Sequence, residues 1–123
     1  MGELQGDRQW AYRSDAGRLM YVAAMRFDLL YATKLLGEQM SKPLRLSELR
    51  LERCARYLAG HGHLALCFAH KDRELRSRLV DSNWAAAPDR YSTHAGCEFV
   101  GSHPVDNWVT TDQVRALSSA EVE

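Results

Sequence analysis

The sequence predicts an α+β fold, with helices in the first half of the chain and strands in the second. Two observations lead to this prediction. Apolar residues recur at the three- and four-residue spacing of amphipathic helices as far as Ala59. After Gly60-His61-Gly62 the spacing changes toward the alternation and turn residues that are typical of strands and hairpins. We therefore expect a cluster of helices followed by a sheet.

Three helices are expected in the first half. Ser14 or Asp15 provides a cap for the first helix, and Asp28 starts the second. Lys42-Pro43 separates the second helix from the third, and Gly60 is the expected stop, because glycine commonly follows the last helical residue. The predicted ranges are 14–26, 28–40 and 44–59.

Short apolar runs predict the strands of the second half. Two hairpins are expected, one around the polar residues 70–74 and one around residues 101–104. Trp84 and Trp108 are expected to pack the sheet against its helices, and the alternative is that they and Tyr91 stack on nucleic-acid bases. A Ser-x-x-Glu capping box ending at Glu121 predicts the start of a further helix. The predicted strands cover residues 64–69, 75–80, 95–100, 107–111 and 114–117.

The composition is that of a globular domain. The 123 residues are 46% hydrophobic and 26% charged, and 16 basic side chains balance 16 acidic ones. A net charge of zero excludes long-range steering of the whole molecule toward nucleic acid or an anionic membrane. Free cysteines at positions 54, 67 and 97 and a polar N-terminus predict an intracellular protein, in the cytoplasm or the nucleus. No apolar run reaches the ~18 residues of a membrane span, so no membrane partner is expected.

Two local clusters suggest binding sites. The third predicted helix carries Arg50, Arg53 and Arg56, which are interpreted either as a solvated basic face or as contacts to nucleic-acid phosphates. A histidine and cysteine cluster has a spacing that suggests zinc. A strand over residues 64–69 fits that site poorly, so a chance cluster is the preferred interpretation. The members of this cluster are His61, His63, Cys67 and His70.

Two ordered groups of short motifs run through the chain. The first group comprises Tyr12-Arg13-Ser14, Gly17, Leu19-Met20-Tyr21, Arg26, Asp28, Tyr31-Ala32, Met40, Pro43 and Arg56-Tyr57-Leu58-x-Gly60. The second comprises Asp81-x-x-Trp84-Ala85, Ser92-Thr93-x-x-Gly96, Trp108 and Leu117-Ser118-Ser119-x-Glu121-x-Glu123. In this order the motifs resemble the Pol polyproteins of copia-type retrotransposons, from the end of the reverse transcriptase into the ribonuclease H domain.

The resemblance implies a ribonuclease H-like mixed sheet, incomplete in this chain, over residues 63–123. It implies a helical connection over residues 12–62, and residues 1–11 are expected to be disordered. Carried over by motif, Asp81 lies on the first strand and Glu121 at the start of the first helix, with Glu123 as a less favoured alternative. These carboxylates would be the first ligands of a two-magnesium site that cleaves the RNA strand of RNA–DNA hybrids.

The chain also departs from the family's pattern. Asn83 replaces an aspartate, Tyr91 an arginine and Phe27 a proline, and residues 110–112 replace lysines. Two later aspartates of the ribonuclease H site, and the polymerase's own metal-binding aspartates, have no counterpart here. The resemblance therefore implies that Asp81 and Glu121 are vestigial members of a catalytically incomplete site.

Three functional hypotheses follow, and they differ on enzyme activity. The leading hypothesis is a retrotransposon Pol fragment whose ribonuclease H region is incomplete. The second is a ribonuclease H that acts only when another chain complements it. The third is a small nucleic-acid-binding or interaction module that uses the basic helix over residues 44–59. An incomplete sheet with an open edge also predicts self-association.

Overall fold

The computed structural model describes residues 2–68, 70, 75–85 and 91–112. It confirms the α+β class. The chain divides between Leu66 and Cys67 into two compact units, a helical unit and a sheet unit, four residues after the predicted boundary. The elements are α1 (Asp7–Ala23), a 3-10 turn (Phe27–Leu29), α2 (Leu30–Glu38), α3 (Arg45–Gly60), β1 (Arg76–Asn83), β2 (Thr93–Val100) and β3 (His103–Thr111).

One face of α1 supplies much of the core of the helical unit. Its buried residues follow each other at intervals of four, three and four, which keeps them on one side of the helix. The Tyr12 hydroxyl donates a 2.8 Å hydrogen bond to the carbonyl oxygen of Leu36, and this bond ties α1 to α2. The hydrophobic core cluster of the unit consists of Leu4, Tyr12, Ala16, Leu19, Ala23, Leu29, Leu36 and Leu51.

The N-terminal segment differs from the sequence prediction. Residues 1–11 were expected to be disordered, yet α1 begins at Asp7 and Leu4 is buried. The backbone N–H of Leu4 donates a 2.8 Å hydrogen bond to the carbonyl oxygen of Pro43. Ser14 and Asp15, the predicted caps, lie inside the helix, because the buried stripe that begins at Tyr12 continues the helix past them.

A charged corner connects the end of α1 to α3. Arg26 Nη2 lies 2.8 Å from Asp28 Oδ2, and the Tyr57 hydroxyl donates a 2.8 Å hydrogen bond to the same oxygen. Arg26 also donates to the carbonyl oxygen of His61, just beyond the end of α3. The hydrogen bond from Arg26 is the main cause that lowers the pKa of Asp28 to about 2. Asp28 thus helps to hold three parts of the helical unit together.

The first predicted hairpin is wrong. Residues 64–68 form no strand, and Leu64, Leu66 and Phe68 are all exposed. Alternating apolar residues favour a strand only where a partner strand is available, and the described residues provide none for this segment. The predicted strand over residues 114–117 lies outside the described residues.

The sheet unit is an antiparallel meander in the order β1-β2-β3. The strands β1, β2 and β3 correspond to the predicted ranges 75–80, 95–100 and 107–111. β1 continues further along the chain, to Asn83, whereas β2 and β3 begin earlier than predicted, at Thr93 and His103. The β2–β3 register shifts between Glu98 and Phe99, close to the turn at Gly101 and Ser102. Every described pairing is antiparallel, whereas a mixed sheet was expected.

No helix in the described ranges has the length and apolar character that crossing a membrane requires.

Candidate functional site

Asp81 lies on β1, and the strand register defines its surroundings. It pairs with Ala95 on β2, and Ala95 pairs with Val109 on β3. Leu79, two residues earlier on the same side of β1, pairs with Cys97. Residues that face each other across an antiparallel pair share one side of the sheet. The exposed carboxylate of Asp81 therefore stands on a face of mixed apolar and polar side chains, which we call the Asp81 face.

One oxygen of the Asp81 carboxylate is engaged locally. Oδ1 accepts a 2.9 Å hydrogen bond from the backbone N–H of Ser82. Within the described part of the chain, no cation pairs with Asp81, and no three His, Cys, Asp or Glu side chains are grouped closely enough to hold a metal. Oδ2 of Asp81 thus has no hydrogen-bond donor among the described residues. Glu121 and Glu123, the other predicted metal ligands, lie outside the described residues.

A buried serine makes hydrogen bonds to the backbone just after β1 and just after β3. Ser92 is fully buried, and its Oγ accepts a 3.2 Å hydrogen bond from the backbone N–H of Ala85. Its carbonyl oxygen accepts a 2.9 Å hydrogen bond from the N–H of Asp112, just after β3. Ala85 has a φ of 48°, which is unusual for a residue with a side chain. Ser92 therefore connects Ala85, just after β1, to the end of β3.

A glycine and a tryptophan form one packing unit on the opposite face of the sheet. Gly96 pairs with Trp108, and the indole ring lies so close that a Cβ on Gly96 would be 2.0 Å from its Cζ2 atom. The guanidinium of Arg78 lies 5.5 Å from the centre of the same ring, within range of a cation–π contact. Trp108 thus packs within the sheet, between Gly96 and Arg78. Trp84, expected in the core, is 45% exposed.

The same face carries a charged group that the sequence analysis did not identify. Glu98 pairs with Arg76 at 2.8 Å and with Arg78 at 3.3 Å. The two arginines are separated by one residue, so a strand prediction already places them on one side. The position of Glu98 opposite Arg78 depends on the register and was not accessible from local sequence.

The three predicted nucleic-acid-binding arginines of α3 are all exposed, but their environments differ. Arg56 lies 3.9 Å from Glu52, and its Nε donates to the carbonyl oxygen of that residue. Arg50 and Arg53 make neither an ion pair nor a hydrogen bond with any described residue. Both line a cavity of about 410 Å³ between α2 and α3.

The histidine cluster considered as a zinc site is instead part of a ring stack at the end of α3. The rings of Tyr57 and His61 are stacked with centroids 4.5 Å apart, and the rings of His61 and His63 are 6.3 Å apart. Nδ1 of His61 lies 3.0 Å from the carbonyl oxygen of Tyr57, so this nitrogen is the donor. Cys67 is an exposed free thiol.

Comparison with known proteins gives relatives along almost the whole chain. The retrovirus-related Pol polyprotein from transposon RE2 of Arabidopsis thaliana is 36% identical over 89% of this chain, and that from transposon RE1 is 34% identical over 89%. An uncharacterized mitochondrial protein of the same plant is 30% identical over 91%. No protein-family model and no solved structure matches the chain.

The matched part is a small portion of these relatives. The chain spans 8% of each Pol polyprotein and 47% of the mitochondrial protein. Its identity to both Pol polyproteins extends over the helical and the sheet unit together, because each match covers most of the chain. The chain is thus homologous to one segment of retrotransposon Pol polyproteins.

Proposed function

We propose that the chain corresponds to the junction between the reverse transcriptase and the ribonuclease H of a copia-type Pol polyprotein, with Asp81 as a metal ligand of the nuclease. The order of the motifs and the similarity to two Pol polyproteins support this proposal. So does the position of a helical unit before a sheet unit. The main supporting observation is that the Asp81 carboxylate lies exposed on the first strand of the sheet and has no cationic partner among the described residues.

The residues present fit a hard divalent cation at this position. Mg²⁺ prefers oxygen ligands, and it is commonly bound through one or two carboxylates together with water and substrate phosphate. The backbone N–H of Ser82 occupies only Oδ1 of Asp81, so Oδ2 can face a metal. Asn83 lies two residues later on the same side of β1 and offers a neutral amide oxygen. A bound pair of such ions would supply an activated water and stabilise the leaving oxygen during RNA cleavage.

Asp81 alone cannot form a complete two-metal site. Two neighbouring divalent cations need several carboxylates to offset their mutual repulsion. The described strands place no second carboxylate on the Asp81 face, and no described group of three ligands includes Asp81. We therefore propose that cleavage of an RNA–DNA hybrid needs further carboxylates, supplied outside the described residues or by a complementing chain.

Metal binding can be tested without relying on activity. Mn²⁺ titrated into the ¹⁵N-labelled chain is expected to broaden the amide resonances of Asp81 and Ser82 selectively. Asp81→Asn should abolish this selective broadening. Asp106→Asn is the matched control, because Asp106 is exposed on the same sheet but pairs with Glu98 on the opposite face. Unchanged broadening in Asp81→Asn would contradict the role of Asp81.

Activity is tested with a labelled RNA–DNA hybrid and Mg²⁺ or Mn²⁺. The chain alone is expected to cleave the RNA strand poorly. Addition of a chain that carries the remaining ribonuclease H aspartates is expected to raise cleavage, and Asp81→Asn should remove that gain. If the chain alone cleaves the hybrid efficiently, the proposal that its nuclease site is incomplete is wrong. The result of the Mn²⁺ titration does not depend on this outcome.

A further inference from the structure

A cavity between α2 and α3 combines an apolar floor with two arginines that have no ion-pair partner among the described residues. Its volume is about 410 Å³, which lies within the range of binding pockets. Leu29, Ala32 and Leu35 contribute apolar lining from the 3-10 turn and α2. Arg50 and Arg53 line it from α3, three residues apart and therefore one helical turn apart.

These two arginines differ from every other arginine of the helical unit. The other six all have a partner within the described residues. Five of these form ion pairs with carboxylates, and Arg13 donates to the carbonyl oxygens of Met40 and Ser41. The five ion pairs are Arg8 with Glu48, Arg18 with Asp15, Arg26 with Asp28, Arg45 with Glu48, and Arg56 with Glu52.

Asp28 is the one acid among the described residues of the cavity wall, and it does not balance these charges. Asp28 lines the cavity, but Arg26 and Tyr57 already bind its carboxylate. The cavity therefore presents an excess of positive charge beside apolar side chains. An occupant that complements it has an apolar group to fill the floor and acidic groups about one helical turn apart at the rim.

We propose that this cavity is a docking site for an acidic amphipathic helix of a partner protein. Leucine-type side chains would enter between α2 and α3, and carboxylates at a spacing of three or four residues would pair with Arg50 and Arg53. A nucleic acid fits less well, because Tyr57 is the one aromatic residue among the described lining and its ring already stacks on His61, whereas Leu29, Ala32 and Leu35 provide an aliphatic floor. The proposal does not depend on the nuclease activity of the sheet unit.

Fluorescence anisotropy with the full chain tests the proposal. The probe is a labelled, end-capped peptide of about 16 residues, long enough to form a helix, with leucine and glutamate at helical spacing on one face. We expect binding of this peptide and none of a matched peptide in which lysine replaces each glutamate. Arg50→Glu with Arg53→Glu should weaken binding by about tenfold or more. Equal binding of both peptides would overturn the proposal.

Two control variants separate docking from general surface charge. Arg18→Glu with Arg56→Glu makes the same change in net charge at two side chains that are both 77% exposed and lie outside this cavity. It should leave binding within about twofold. Ala32→Phe fills the floor without changing the charge and should abolish binding. If the control double variant weakens binding as strongly as the cavity variant, the cavity is not the site.

A measurement on the wild-type chain covers the case in which Ala32→Phe does not fold. Cys54 lines the cavity, whereas Cys67 is exposed outside it. Bound peptide should slow alkylation of Cys54 by iodoacetamide, measured by mass spectrometry, and leave the rate at Cys67 unchanged. An RNA–DNA hybrid is the alternative ligand. If its binding requires Arg50 and Arg53, and if it displaces the peptide without protecting Cys54, these arginines bind nucleic acid and the proposal is wrong.

Discussion

The helical unit and the sheet unit bury their side chains to very different extents. The helical unit has eight buried apolar residues in one core cluster. Among the described residues of the sheet unit, Ser92 alone is buried, and β1 is exposed at all but one position. Packing of side chains therefore stabilises the helices, whereas backbone pairing and a few cross-strand contacts hold the described sheet. Substitutions should consequently destabilise the two units in different ways, through lost core packing in the helical unit and through disturbed cross-strand contacts in the sheet unit.

Truncation of a core leucine should show the dependence of the helical unit on packing. Leu36 is 2% exposed, and its carbonyl oxygen accepts the hydrogen bond from Tyr12. Leu36→Ala should lower the free energy of unfolding of this unit by about 3 kcal/mol, because it leaves a cavity in a close-packed core. Urea denaturation followed by far-ultraviolet circular dichroism measures the change.

Two further measurements test the difference between the helical unit and the sheet unit. One is a control substitution at an exposed residue, and the other is hydrogen exchange in the sheet. Tyr21→Ala removes a side chain that is 83% exposed and should change stability by less than about 0.5 kcal/mol. Hydrogen exchange of the β2 amides should stay unchanged in Leu36→Ala. Equal loss of protection in both units would show that they unfold together and not independently.

Addition of one methyl group should test the cross-strand contact of the sheet. Gly96→Ala places a Cβ where the Trp108 ring lies, so the ring must move, and we expect a loss of about 2 kcal/mol in the sheet unit. Hydrogen exchange of β1 and β2 amides measures it. Gly17→Ala is the matched control in α1, where the new Cβ meets no atom within 4 Å, and it should stabilise the helix by about 0.5–1 kcal/mol.

A second substitution distinguishes a steric effect from a backbone effect at Gly96. Trp108→Leu removes the ring that blocks the new methyl group. The double variant Gly96→Ala/Trp108→Leu should therefore cost less than the sum of the two single changes. Strict additivity would mean that Gly96 is needed for some reason other than Trp108.

Low pH should destabilise the helical unit by protonating Asp28. This effect should be smaller than those of Leu36→Ala and Gly96→Ala. Its pKa falls from 3.8 to about 2 in the folded protein, mainly through the hydrogen bond from Arg26. The resulting stabilisation is present above about pH 4 and is lost as the pH falls toward 2. Because Asp28 is partly exposed, Asp28→Asn should cost only about 1 kcal/mol at neutral pH.

Thermal unfolding as a function of pH checks this prediction. The difference between wild type and Asp28→Asn should shrink between pH 4 and 2. Asp15→Asn, which breaks an exposed ion pair with Arg18, should change stability by only a few tenths of a kcal/mol. A difference for Asp28→Asn that stays constant across the acid range would contradict the assigned role of Arg26.

Local sequence predicted the second and third helices well and the first incompletely. The stop at Gly60 and the break at Lys42-Pro43 are signals within one or two turns of the chain. The start of α1 is fixed instead by contacts of Leu4 with a distant segment, so the capping residues Ser14 and Asp15 misled the prediction. A cap contributes only about 1 kcal/mol, less than a buried stripe of several residues.

The same limit applies to the strands and the candidate site. Residues 64–68 alternate as a strand does, but pairing requires a partner that only the tertiary fold can supply. The motif around Asp81 correctly indicated a strand position. The apolar neighbours of Asp81, the Gly96–Trp108 packing and the ion pairs of Glu98 all depend on strand register. The assignment of Asp81, Glu121 and Mg²⁺ to one site stays a prediction.

The pairing of the N-terminal segment with residues around Pro43 also has a kinetic consequence. Leu4 leaves the ribosome before Pro43, and the carbonyl oxygen of Pro43 that accepts its hydrogen bond is made only after α1 and α2 have been synthesised. The segment before α1 therefore cannot lock into place until the link to α3 is available. We expect the helical unit to be completed in a single late step during synthesis, with the N-terminal residues exposed to proteases and chaperones until then.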